Sequence, residues 1–184
     1  MDDGTFFAEQ LRATTSYLRW AAEQVPEERR YLRPPFQNAE WPAAREVFHL
    51  ALYERTVALP SMRLWLGGPP VEDSDFLRED ALWEEDGRQT AYPALLQRLS
   101  DVREEQIALL PALAGRWDQA RDTIWKIEGL PPITLRWVVA KTLQHTAEHA
   151  SAISRITLFW DAAVRYNQHV AQQEAAASDA SDAI

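Results

Sequence analysis

The chain has 184 residues, 46% of them hydrophobic, which is enough apolar material for one domain with its own core. Its 28 acidic residues outnumber 19 basic ones and give a formal net charge of −9, which argues against a nucleic-acid or anionic-membrane partner. The lack of cysteine excludes disulfides, thiolate metal sites and a cysteine nucleophile. No stretch approaches the roughly 20 consecutive apolar residues of a membrane-spanning helix, so we expect a soluble, cytoplasmic protein.

Four stretches repeat apolar residues at the spacing of an amphipathic helix, in which positions i, i+3, i+4 and i+7 share one face. Pro26 stops the first stretch, and Pro60 stands just beyond the second. Pro42 suits the first turn of the second helix, and Thr90 is the predicted N-cap of the third. The predicted helices are Phe7–Val25, Trp41–Leu59, Thr90–Leu113 and Leu135–Ile156.

The connector between the second and third helices is long and acidic. Between Glu72 and Asp86 there are eight acidic residues and one basic residue. We interpret this segment as a solvated connector, with a lid or a partner-facing surface as the alternative. It has room for a short helix around Phe76–Trp83.

The C-terminal part is less well determined by its pattern. Residues 158–173 either extend the fourth helix or form a separate one. Residues 174–184 are mostly alanine, serine and aspartate with almost nothing to bury, so we expect a frayed or disordered tail. No run alternates as strands do. The sequence therefore predicts a single all-α domain over residues 1–173, a four-helix bundle.

Two of the four histidines fall on the apolar stripe of the predicted fourth helix. His145 and His149 are separated by four residues, so both side chains can reach one ion. An unpaired imidazole in a core costs about 1–3 kcal/mol, which favours a shared ligand over simple packing. His49 in the second helix can face the pair across the bundle, and three imidazoles with one open position are typical of a catalytic divalent-metal site. His169 lies in a polar segment and is expected to be solvated.

Other motifs are weaker. The string His145-Thr-Ala-Glu148-His149 matches the H-x-x-E-H pattern of inverted zinc proteases, in which the glutamate is the general base. A short helical chain offers no strand edge to bind a peptide, so we interpret Glu148 as a flanking carboxylate or one that orients an imidazole. Serine-hydrolase, phosphate-loop and dinucleotide motifs are absent. The eight tryptophans are interpreted as core and interface fillers.

A histidine in the second helix followed by H-x-x-x-H in the fourth resembles the DinB-like superfamily. The resemblance covers roughly residues 5–156. It implies an up-down-down-up bundle with a long crossover between helices two and three. It also implies a divalent metal, zinc or nickel, held by His49, His145 and His149. The matching segments are Trp41–His49, Tyr92–Leu113, Ile133–Trp137 and Thr142–His149.

The resemblance implies a metal-dependent enzyme acting on small molecules. Family members of known activity include thiol-dependent S-transferases and an isomerase, which use low-molecular-weight thiols as cosubstrates. The leading hypothesis is therefore a thiol-dependent S-transferase acting on small electrophiles. A metal-dependent hydrolase that uses the same ligands is an alternative, and a non-catalytic, stress-associated helical module is another.

Some roles stay open at this stage. A carboxylate-bearing cosubstrate would need an arginine near the metal, for which Arg45, Arg55 and Arg136 are candidates. Glu46 and Glu148 are the candidate general bases, although each is as well explained by an ion pair or by solvent. Family members often form homodimers, and an apolar set in the second helix would permit this. That set is Val47, Phe48, Leu50, Ala51 and Leu52.

Overall fold

A computed structural model of the chain describes residues 2–36, 40–71, 74–121 and 132–182. The regular secondary structure of this part is helical except for one antiparallel pair of two-residue strands, which confirms the predicted all-α class. None of its helices combines the length and apolarity needed to cross a lipid bilayer. The elements are α1 Asp3–Gln24, α2 Ala43–Tyr53, α3 Leu59–Arg63, α4 Ser74–Leu77, α5 Glu79–Glu85, α6 Tyr92–Leu109, β1 Ala120–Arg121, β2 Ile133–Thr134 and α7 Leu135–Asp182.

The first helix begins at an aspartate cap. The Asp2 carboxylate accepts a hydrogen bond from the Thr5 backbone N–H at 3.0 Å, which satisfies one of the free donors of the first turn. The helix ends at Gln24, close to the predicted boundary before Pro26. Its apolar stripe is buried as the spacing predicts. The buried residues are Phe7, Leu11, Leu18, Ala21 and Ala22.

The second predicted helix continues past Pro60, so the expected end at Leu59 is wrong. A π-helical turn, Glu54–Ala58, follows α2 and leads directly into α3. A proline inside an α-helix removes an N–H and clashes with the carbonyl four residues earlier. The wider π turn before Pro60 relieves this conflict. The α-helical spacing of apolar residues does not by itself predict such a turn. The helix finally stops at Gly67, whose φ of 83° is left-handed.

The crossover between the second and third helices carries α4, α5 and a 3₁₀ turn. Trp83 of α5 packs on Phe48 of α2, with ring centroids 5.5 Å apart. A Cβ at Gly87 would lie 2.6 to 2.9 Å from ring atoms of these two residues. The crossover therefore packs against α2 through Trp83 and Phe48, and this packing requires a glycine at position 87. It is not simply a solvated connector.

The third helix starts one residue later than predicted. Ala91 occupies the cap position and Pro93 the first turn. The Thr90 hydroxyl donates instead to the Asp86 carbonyl at 2.8 Å, so Thr90 closes the preceding turn rather than capping α6. The helix then continues as a 3₁₀ turn through Leu113.

The fourth helix is a single element of 48 residues. Residues 158–173 extend it, which decides between the two predicted alternatives. The same helix continues over residues 174–182, where the sequence suggests a frayed or disordered tail. Alanine has the highest helix propensity, and adding residues to an existing helix avoids the cost of nucleation. The small amount of apolar surface in this segment therefore did not by itself determine its conformation.

The four long helices pack around a common core. The first helix contacts α6 and α7, and α2 contacts the same two helices. The apolar residues of α2 that would permit a dimer pack in this chain's own core: Val47 and Leu50 are fully inaccessible, and Leu52 is partly buried. That face is therefore not a free association surface. The homodimer and the order of helix directions stay predictions.

A buried polar cluster ties these helices together. Arg103 of α6 is ion-paired with Glu54, and both side chains are at most 1% exposed. Arg103 also donates to Thr14 of α1 at 3.2 Å and to Thr146 of α7 at 2.8 Å, while Gln106 donates to Glu54 at 2.9 Å. Groups from all four sides of the bundle thus share one hydrogen-bond network, which fixes their relative register.

Candidate metal centre

The structure brings together the three histidines that the sequence singles out. His145 Nε2 lies 3.1 Å from His49 Nε2 and 3.0 Å from His149 Nε2. One ligand atom from each ring lies within 4.8 Å of the others. His145 and His149 stand one helical turn apart on α7, and α2 presents His49 opposite them. Within the described residues this is the group of His and acidic side chains with metal-site geometry.

Two glutamates orient two of the rings. His49 Nδ1 donates to Glu79 Oε2 at 2.8 Å, and His149 Nδ1 donates to Glu46 Oε2. Both carboxylates are largely inaccessible, with side-chain exposures of 12% and 7%. A carboxylate that holds Nδ1–H fixes the tautomer in which Nε2 carries a free lone pair. This arrangement leaves the two Nε2 atoms able to act as ligand atoms for a metal ion.

His145 is in a different environment. Its Nδ1 is buried and makes no hydrogen bond within the described residues. Burial, the neighbouring imidazoles of His149 and His49, and Lys141 together lower the pKa of His145 to about 3. This ring is therefore neutral at pH 7, which is the form that binds a metal.

The residues fit a divalent metal. Zinc–imidazole bonds are about 2.0–2.1 Å long, so two nitrogens that share one ion stand at most about twice that distance apart. Both measured Nε2–Nε2 separations meet this limit. Lone pairs on neighbouring Nε2 atoms repel each other unless a proton or a cation lies between them. Three imidazoles, two of which are hydrogen-bonded to carboxylates, are a typical donor set for a divalent transition metal.

Aromatic rings form walls of the site. The Trp41 ring lies 5.1 Å from the His49 ring and is stacked at 6.4 Å on the His149 ring. Tyr53 meets His145 edge-on, with centroids 4.4 Å apart. The interpretation of Trp41 as a filler was therefore too narrow, whereas the buried Trp65 is a core residue as predicted.

A cleft of about 330 Å³ opens from the histidines to solvent. Its lining includes His145, His149, Trp41 and the exposed Glu148. Glu148 accepts a hydrogen bond from Gln144 and holds no imidazole, so its predicted role in orienting a ring falls to Glu46 and Glu79 instead. The cleft gives a small molecule access to the side of the cluster formed by His145 and His149.

Of the three candidate arginines, the structure places one near the histidines. Arg45 lies over the Trp41 ring, 4.5 Å from its centroid. Arg55 pairs with Glu105 and lines a separate cleft of about 320 Å³ that includes no histidine. Arg136 pairs with Asp3 and Asp118, next to α1. His169 is exposed and contacts Gln173, as expected of a solvated residue.

The sequence analysis missed Glu79 as a site residue. It lies within the acidic run, where a single functional carboxylate looks like its solvated neighbours. Glu46 was considered only as a base or a solvated group, although its spacing of three residues from His49 places both on one helix face. The burial of Glu46 and its contact with α7 depend on how the helices pack.

A helical bundle in which histidines from two helices converge beside an open cleft defines an all-α protein with a candidate metal centre. The family model described as the DinB superfamily matches residues 10–153. The chain belongs to the DinB superfamily. No curated protein and no solved structure matches it significantly.

Proposed function

We propose that this protein binds one zinc or nickel ion through Nε2 of His49, His145 and His149 and catalyses thiol-dependent S-transfer to small electrophiles. The observation that carries the proposal is the convergence of the three Nε2 atoms beside an open cleft. Membership of the DinB superfamily, a metal-associated family, supports it.

The chain's own residues prepare the site. Glu79 and Glu46 hold the Nδ1–H groups of His49 and His149 and so direct the Nε2 lone pairs to one point. Trp41 and Tyr53 limit the directions from which water and substrate approach. Because the rings are locked by these contacts, little reorganisation is needed when a ligand binds.

The sulfur in this proposal comes from a small thiol, because the chain contains no cysteine. A divalent metal at this position supplies Lewis-acid chemistry, which lowers the pKa of a bound thiol or water. In the reaction the thiol releases its proton to water, its sulfur forms a carbon–sulfur bond to the electrophile, and a leaving group departs with the electron pair of the broken bond. The open cleft beside His145 and His149 is large enough for small reactants.

The first test is elemental analysis of untagged protein. We expect about one zinc or nickel per chain, lost in His149→Ala and retained in His169→Ala, which changes an exposed histidine. Absence of metal, with no uptake when zinc or nickel is added, would refute the metal centre.

The second test separates the proposed chemistries. Metal-loaded protein is incubated with a panel of small thiols and a chromogenic aryl halide, and products are identified by mass spectrometry. A thioether formed by the wild type and not by His149→Ala supports S-transfer. Hydrolysis products without thioether would assign the same site to a hydrolase, and no turnover of any tested pair would favour the non-catalytic module.

A further inference from the structure

A second cleft, of about 580 Å³, adjoins the candidate metal centre. Both clefts include Glu40 and Trp41 in their lining, so they meet at these two residues. We call the second one the arginine cleft, because Arg33, Arg45 and Arg88 line it. These three bases face an otherwise aromatic and mildly acidic lining in a protein whose net charge is −9.

Arg45 connects the two clefts through the geometry of α2. It precedes His49 by four residues, so the two side chains lie on the same helix face about one turn, or ~5.4 Å, apart. The Arg45 guanidinium stacks over Trp41, and the same ring contacts His49. A molecule that touches Arg45 at one end can therefore reach the three histidines at the other.

The guanidinium of Arg45 has unused capacity to bind an anion. Its side chain is 19% exposed and pairs with Asp80, whose side chain is 90% exposed. An ion pair with so exposed a carboxylate contributes little, and an incoming anion can replace it. Arg45 Nε is buried and makes no hydrogen bond within the described residues.

The other charged groups in the arginine cleft favour the same ligand. Arg88 pairs with Glu84 in a largely exposed contact. Glu40 is occupied by Arg155 at 3.1 Å, which reduces its repulsion of an anion. Arg33 is exposed and has no ion pair within the described ranges. The cleft therefore presents positive charge at a point where most of the surface is negative.

We propose that the arginine cleft binds the carboxylate of a small molecule whose other end reaches the metal centre. The expected ligand is a carboxylic acid that carries a metal-binding atom, such as a thiol sulfur, about one helical turn away. Arg45 recognises the carboxylate through its planar pair of N–H donors. The proposal rests on the proposed function for the identity of the metal-binding end, while the carboxylate subsite can be tested by itself.

The first experiment uses glutarate and its neutral analogue glutaramide with the protein as purified, followed by saturation-transfer NMR. We expect glutarate to bind and glutaramide to bind at least tenfold more weakly. Arg45→Gln should weaken glutarate binding at least tenfold. Arg165→Gln, which removes an exposed arginine on α7 outside the cleft, should leave it unchanged.

A second variant gives a change of opposite sign. Asp80→Asn removes the carboxylate that competes for Arg45, so glutarate binding should become severalfold tighter. A merely structural role of Arg45 does not predict this gain. Equal binding of glutarate and glutaramide, or no response to either variant at residues 45 and 80, would overturn the inference.

The second experiment includes the metal. Cobalt-loaded protein is titrated with 4-mercaptobutyrate and 4-mercaptobutanol, and binding is followed by the sulfur-to-cobalt absorption band. We expect the carboxylate to improve binding about tenfold in the wild type and not in Arg45→Gln, with unchanged cobalt content. Equal binding of both thiols by the wild type would contradict the carboxylate subsite while leaving the metal centre intact. Failure to take up cobalt would count against the proposed function. The glutarate titration would still test whether Arg45 binds a carboxylate.

Discussion

The Nδ1 atoms of His49 and His149 distinguish this histidine cluster from three rings that only pack together, because each is hydrogen-bonded to a glutamate. Glu79 and Glu46 each hold one Nδ1–H from a largely buried position. Burying a carboxylate is costly unless it gains hydrogen bonds or a charge partner. Placing two of them against these imidazoles is consistent with a cation shared by the rings, because the cation would also attract both carboxylates.

Neutralising either carboxylate should weaken metal binding. For Glu79→Gln and for Glu46→Gln we expect zinc affinity to fall about 10- to 100-fold, since the ring loses the partner that raises its basicity and fixes its orientation. Competition with a chromophoric chelator measures this. Glu148→Gln is the matched control, because that carboxylate is exposed and contacts Gln144 instead of a histidine. An equal loss in the control would show a general charge effect.

The buried pair of Glu54 and Arg103 should dominate stability at the residue scale. We expect Glu54→Gln to lower the free energy of unfolding by about 3–5 kcal/mol, because it leaves the Arg103 charge buried without a counter-charge. Urea denaturation measures the change. Glu105→Gln breaks exposed pairs with Arg55 and Arg63 and should cost no more than about 1 kcal/mol. Similar losses for the two variants would mean that Arg103 is solvated.

At the scale of elements, the crossover contributes directly to the site. Its short helix α5 carries Trp83, which packs on α2, and Glu79, which holds His49. The two residues are four apart, so the same helical segment that is anchored in the core also carries the carboxylate. Because the segment contains many acidic residues, the sequence did not indicate that Glu79 contacts His49.

Crowding the crossover contact should disturb the metal site at a distance. Gly87→Ala places a methyl group against Trp83 and Phe48, and we expect a loss of about 1–3 kcal/mol in unfolding free energy. Zinc affinity should fall as well, because α5 shifts and carries Glu79 with it. The loss of affinity should largely disappear when the change is made in a Glu79→Gln background, which a double-mutant cycle measures. Ala81→Ser, at an exposed position of α5, is the control.

At the scale of the whole molecule, the long α7 has two parts with different environments. The part up to Ile156 lies in the core, and Trp160 still packs against it. Arg29 pairs with Asp161, and Asn167 donates to the Pro35 carbonyl at 2.9 Å. Residues 171–176 are exposed. The bundle therefore has its last described tertiary contacts before the predicted domain end at Gln173.

Two truncations should distinguish the part of α7 that makes tertiary contacts from the part that follows it. Removing residues 174–184 should change the free energy of unfolding by no more than about 0.5 kcal/mol and leave zinc affinity unchanged, because residues 174–176 are exposed and the described tertiary contacts of α7 lie before Gln173. Ending the chain after Leu158 should destabilise it by more than about 1 kcal/mol, since Trp160 and Asp161 lose their contacts with Arg29 and the core. Thermal and urea denaturation of the three chains measure both effects. Equal stability of the long and short truncations would contradict the assignment.

The helical period of the sequence determined the all-α class, the four long helices and the positions of His49, His145 and His149 on them. These features depend on residues close in sequence, because apolar residues recur along the chain with the period of an α-helix. The π turn before Pro60 and the helical tail were not predicted, because the first depends on local hydrogen-bond geometry and the second on continuation of an existing helix.

The tertiary structure alone decided which distant groups meet. The pairing of Glu79 with His49, the Glu54–Arg103 ion pair and the position of Arg45 between two clefts each join segments far apart in the chain or depend on how the helices pack. In an acidic sequence many carboxylates have the same local pattern, and only packing determines which of them lose their water. The sequence therefore determined which histidines are the candidate ligands, and the fold decided their partners and their access to small molecules.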